Sequence, residues 1–151
     1  MVKIRMSDVL SDCLQTVLSR KDVYGVRYIT KAAILSLNNG QKLNNVDTET
    51  NVQLLPGEGA HIANTFRNKM WMDPGINLCI EGKKYVVIRE LEDQTEIHAK
   101  CGQSQNLAIG CTDKFVCVVI SEDRVQSGNT YNALTHLLKD VKTAEKDFGL
   151  D

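Results

Sequence analysis

Between residues 77 and 122 the chain alternates short apolar runs with turns of a few residues, and this spacing constrains the fold more than any other feature. The runs NLCI, KYVVIRE, TEIHAKC, NLAIGC and FVCVVIS are separated by EGK, LEDQ, GQSQ and TDK. A parallel return between strands needs a dozen or more residues, so connections this short force each strand to pair antiparallel with the next. A five-strand antiparallel meander follows, left through the polar stretch EDRVQSGN.

Helical patterns stand on either side of the meander. In SDVLSDCLQTVLSR, residues 7–20, apolar side chains fall at 9, 10, 13, 14, 17 and 18, one stripe of an α-helix. Ser7 is placed to cap it, and Asp8 suits its positive N-terminus. TKAAILSL and QKLNNV flank an Asn-Gly turn, a strong hairpin signal because both residues tolerate positive φ. Pro56 suits the first turn of a second helix, with a stripe of Ala60, Ala63, Phe66 and Met70. Residues 129–146 form a closing helix capped by Asn129, its stripe being Ala133, Leu134, Leu137, Leu138, Val141 and Ala144. The fold class is α+β: a central antiparallel sheet of about six to seven strands, its faces covered by helices. With 151 residues and no repeat, low-complexity tract or linker, a single domain is expected over 1–151, with residues 1–6 as a short N-terminal extension.

Composition narrows the function classes. The 18 basic residues are balanced by 19 acidic ones, which argues against a dedicated nucleic-acid binder. Five cysteines, 13, 79, 101, 111 and 117, include no CxxC pair and mostly lie in apolar runs, as reduced, buried thiols do. No signal peptide and no apolar run approaching the ~20 residues of a membrane span is present, so a soluble cytoplasmic protein is expected.

Catalytic motifs are not found. His61, His98 and His136 stand at no metal-ligand spacing, and HExxH, P-loop, GxGxxG and GxSxG patterns do not occur. Cys101, beside Lys100 and near His98, reads as an edge cysteine rather than an activated thiol. Glu90, Glu92, Asp93 and Glu96 read as a solvated hairpin tip. A binding module is favoured over an enzyme, with no cofactor and no metal. Its candidate surface is basic: His98 and Lys100 share one face of a strand, and antiparallel pairing lays Lys84 and Arg89 beside them. A cationic patch on a neutral protein suits an acidic partner surface.

The order of elements and several of these runs resemble the profilin family. AAIL at 32–35 before an NNG turn, GKKYVVIR at 82–89, TEIHAKCG, and CTDKFVCVVISEDRVQSGN with its following helix carry the resemblance, which spans roughly residues 7–146. It implies a sheet with the N- and C-terminal helices on one face and the middle helix on the other. It also implies binding of monomeric actin. Matched residue by residue, the implied actin contacts are Lys84, Arg89, His98, Lys100, Gln126, Gly128, Tyr131, Asn132, Thr135 and His136, with Tyr131 as an aromatic anchor. The family also binds phosphoinositide headgroups, for which Lys83, Lys84, Arg89 and Lys100 are the candidates. The family's proline-rich ligands dock on aromatic rings of the terminal helices and second strand. This chain has Lys-Leu at 42–43, Asp140 on the last helix and no ring in MSDVLSDC, so weak or absent polyproline binding is expected. Its divergence resembles the profilins of Asgard archaea. A monomer acting on the cytoskeleton is implied. The same helix–sheet–helix layering occurs in longin and roadblock scaffold modules of small-GTPase and trafficking complexes, which remain the alternative.

Overall fold

A computed structural model describes residues 5–43, 52–102, 105–122 and 127–147. Three helices, α1 (Met6–Leu18), α2 (Glu58–Arg67) and α3 (Ser127–Asp147), accompany six strands. These are β1 (Ile29–Ser36), β2 (Leu78–Ile80), β3 (Lys83–Leu91), β4 (Glu96–Cys101), β5 (Gln105–Cys111) and β6 (Phe115–Glu122). They form one sheet in the order β1-β6-β5-β4-β3-β2, every neighbouring pair antiparallel. The five-strand meander is β2 to β6, as the short connections require.

Both faces of the sheet are covered, as the terminal-pair and middle-helix arrangement implies. On one side α1 and α3 bury Leu10, Leu14, Leu134, Leu137 and Val141 against Ala32, Ile34, Cys117 and Val119. On the other, Ile62, Phe66 and Trp71 pack over Leu35, Leu78, Ile80, Tyr85, Ile109 and Val118. Successive residues of β6 enter alternate cores, which explains why FVCVVI is continuously apolar instead of alternating.

Element ends depart from the expected caps. Ser7 and Asn129 lie inside their helices. The carbonyl of Arg5 instead accepts from Asp8 and Val9 N–H. Helix α2 begins at Glu58, with Gly57 at φ 88 as its N-cap, so Pro56 stays outside it. Met70 falls past the helix end; Trp71 completes the core there, its ring 5.0 Å from Phe66. The second arm of the expected Asn-Gly hairpin makes a single bridge among the described residues, Leu35 to Lys42, supported by Ser36 N–H to the Gln41 carbonyl. The rest of that arm, from residue 44, lies outside them.

A carboxylate ties α2 to the sheet edge. Glu58 accepts from the N–H groups of Leu55 and Glu81 at 2.8 Å and of Gly82 at 2.9 Å. Glu81 in turn accepts from Gln53 N–H and Lys31 Nζ. Removing the first acceptor leaves three donors to find water, so Glu58→Ala is expected to cost about 2–3 kcal/mol. A chain of this size should then melt roughly 5–10 °C lower in a thermal unfolding experiment.

Candidate functional site

The pairing of β3, β4 and β5 assembles the basic face. Arg89 lies opposite His98, and Val86 opposite Lys100. His98 and Lys100 lie opposite Ala108 and Asn106 on β5. Directly paired residues project on the same side of a sheet. Ile97 and Ala99 enter the α2-side core, so His98 and Lys100 look to the α3 side, together with Arg89, Val86 and Lys84. A bulge between Val87 and Arg89 makes this possible. Residues 84 and 89 are an odd number apart, and regular alternation would send them to opposite faces. The extra residue re-aims Arg89 onto His98.

Helix α3 borders this face. The Tyr131 ring meets the His98 ring edge-on at 4.5 Å, and its hydroxyl donates to Glu96 at 3.1 Å. Tyr131 is half-buried, and burial is the main cause that raises its phenol pKa. Thr130 and Ser121 share a hydroxyl hydrogen bond at 2.7 Å that seats the helix start on β6. A cavity of about 200 Å³ opens here, lined by Ile88, Arg89, His98, Lys100, Asn106 and Thr130. His98 Nε2 itself is buried with no hydrogen-bond partner among the described residues. Burial, and then the nearby Arg89 cation, lower the His98 pKa, which favours the neutral imidazole.

That shift has a consequence for stability. Below the unfolded-state value of about 6.5, the unfolded chain binds a proton that folded His98 resists. Stability should therefore fall as pH drops from there toward the lower folded value. Urea midpoints measured across this window should show a slope that His98→Gln reduces.

The other candidate residues divide. Gly128, Asn132 and Thr135 are exposed on α3, with Thr135 one turn from Tyr131 and bonded to its carbonyl. His136 is exposed about 140° around the helix from Tyr131, given 3.6 residues per turn, and so faces away from the strands. Lys83 alternates onto the α2 side, with Tyr85, away from Lys84. Gln126 lies outside the described residues.

One sequence reading needs correction here. Glu96 is no part of a solvated tip: it is buried and holds Tyr131. Trp71 and Tyr28 are buried in separate cores, while Tyr24 is exposed. None of the five cysteines is in a disulfide. Cys101 packs half-buried toward the α2-side core, turned from His98 and Lys100. Burial pushes the Cys111 thiol up to about 11 and raises Cys117 further.

The structure adds apolar residues that the sequence reading missed. Val86 and Ile88 are 62% and 65% exposed in the middle of the cationic face, and Met72 beside them is 64% exposed. They border a cavity of about 420 Å³ along the outer side of β3, where β2 pairs only as far as Tyr85. In the sequence, KYVVIR reads as one buried run; only alternation about the buried Tyr85 would have separated these two.

A cationic face with exposed apolar side chains at its centre, on a sheet covered by helices on both sides, defines a small docking module. The profilin family model matches residues 14–145, and the chain belongs to the profilin family. Profilin of Schizosaccharomyces pombe superposes with a TM-score of 0.69 at 19% identity, over 89% of this chain and 97% of its own. Acanthamoeba castellanii profilin IA gives 0.64 at 24% identity, over 93% and 97%. Mouse profilin IIa, solved in complex with a double repeat from the FH1 domain of mDia1, gives 0.57 at 19%, over 88% and 96%. At these identities the superpositions show the fold, while the family match favours profilin over the longin and roadblock alternative. No curated protein sequence matches the chain. Among the described residues, no helix is long and apolar enough to cross a membrane.

Proposed function

We propose that this profilin binds monomeric actin through the face built by β3, β4 and the start of α3, and so restrains actin assembly in the cytoplasm. One observation carries the reading. The β3 bulge gathers Lys84, Arg89, His98 and Lys100 around exposed Val86 and Ile88, beside Tyr131. Apolar anchors supply affinity at such a face, while the cations supply orientation and on-rate toward an acidic surface. No catalytic role is assigned to any residue.

Proline-rich segments bind weakly or not at all. The partly buried side chains at the edge of the terminal-helix core are Met6, Cys13 and Leu43 rather than rings, and Asp140 on α3 is exposed. Each missing aromatic anchor costs roughly 2 kcal/mol. Two of them weaken a site about a thousandfold, at ~1.4 kcal/mol per factor of ten. Titration with a polyproline peptide checks this, and micromolar binding would refute it. Lys84, Arg89 and Lys100 also suit a phosphoinositide headgroup, with exposed Lys83 at the strand start.

The direct test is capture of monomeric actin together with a spontaneous-polymerisation assay. Slowed nucleation by a monomeric protein, seen by light scattering, is the expected result. Unaltered nucleation and no capture would overturn the reading.

A further inference from the structure

The large exposed apolar side chains on the described surface fall mostly into two clusters. One belongs to the β3 face. The other, Val23, Tyr24 and Val26, occupies the connection between α1 and β1, far from β3 in sequence. Val23 is 93% and Tyr24 87% exposed, the highest values among these side chains.

This connection is a built hairpin. Lys21 and Arg27 form a bridge, Asp22 N–H donates to the Val26 carbonyl at 2.9 Å, and Gly25 N–H donates to the Asp22 carbonyl at 3.0 Å. The Asp22 carboxylate turns into the loop and accepts from Tyr24 N–H at 2.8 Å and Val26 N–H at 3.0 Å. Gly25 takes φ +77, where a Cβ would be strained. The base is pinned as well: Arg20 Nε donates to the Tyr28 hydroxyl at 2.7 Å, and Arg27 Nε to the Leu18 carbonyl at 3.1 Å. Those bonds hold two guanidinium groups at the base of the hairpin, where Lys21 is exposed. The hairpin thus carries three cations, Arg20, Lys21 and Arg27, against one carboxylate that is already engaged by backbone.

We infer that the 20–27 hairpin is a membrane-docking prong that places Val23 and Tyr24 in the interfacial layer of an anionic bilayer. A tip of two side chains is far too small to hold a folded partner, since specific protein interfaces bury about 1,200 Å² or more. A bilayer needs no matching pocket. Tyrosine, apolar in its ring and polar at its tip, suits the headgroup boundary. Lys and Arg at the base add attraction to anionic headgroups. The Asp22 bonds pre-organise the loop, so little ordering remains to oppose insertion. The inference is independent of the actin-binding reading, because none of its residues lies on β3, β4 or α3.

Sedimentation with vesicles of phosphatidylcholine mixed with phosphatidylserine tests it. The whole chain should partition onto these vesicles and not onto phosphatidylcholine alone. Val23→Ser combined with Tyr24→Ser should lower that partition about tenfold or more. Both side chains are exposed, so the fold stays intact, and actin capture by the double variant should equal that of the parent. In a second measurement, Tyr24→Trp should give emission that brominated phosphatidylcholine in the mixed vesicles quenches. Buried Trp71 supplies the unquenched reference in the parent chain. No partition, equal partition onto neutral vesicles, unchanged partition of the double variant, or bound protein without bromine quenching would each overturn the prong.

Discussion

Arg89→Glu is expected to weaken capture of monomeric actin by roughly 30-fold to several thousandfold and to abolish the slowing of nucleation. Removing one charge of a desolvated pair in an interface costs about 2–5 kcal/mol, and reversing its sign adds repulsion from the acidic partner. At ~1.4 kcal/mol per factor of ten, that range gives the stated loss. The side chain is exposed beyond the bulge, so the melting temperature should hardly move. Lys100→Glu should act in the same direction. Ile88→Ser should weaken capture at any ionic strength, whereas the effect of the lysine should shrink as salt screens it. Unchanged capture by both Arg89→Glu and Lys100→Glu would place the docking face elsewhere.

Gly59→Val is expected to lower stability by about 3 kcal/mol, because two backbone segments touch where a side chain would stand. A Cβ on Gly59 would sit 2.3 Å from the Gly40 carbonyl oxygen, and one on Gly40 only 2.2 Å from the Gly59 backbone. Both obstacles are main chain, so no rotamer change relieves them. A loss of this size lowers the melting temperature by roughly 6–12 °C in a chain of this length. Gly57→Ala supplies the contrast. A Cβ there meets nothing, so only the left-handed φ of 88 is strained, at about 1 kcal/mol. If Gly59→Val melts with the parent chain, α2 does not lie against the Asn-Gly turn in this way.

Much of the architecture could be read locally. Turns of a few residues leave β2 to β6 no arrangement but an antiparallel meander, and the α1 and α3 stripes name the residues those helices bury. Helix starts were less legible. Ser7 and Asn129 have good capping chemistry, yet each helix extends past them because packing of the stripe outweighs one hydrogen bond. Glu96 shows a different failure. Its neighbours in sequence are acidic and solvated, and only the approach of Tyr131 from 35 residues away makes it a buried acceptor.

The candidate site was half visible. His98 and Lys100 share a face by simple alternation, and the family resemblance supplies Lys84 and Arg89. Val86 and Ile88 stayed hidden because an apolar residue in a strand reads the same whether a helix covers it or not. Sequence alone determined the order of elements, the antiparallel pairing and the identity of the buried stripes, since these rest on periodicity and on chain reach between neighbours. Tertiary structure decided which apolar residues stay in water, which carboxylate is buried and, through one extra residue in β3, which face Arg89 joins. Those outcomes depend on contacts between segments far apart in the chain, whose free energies no local pattern encodes.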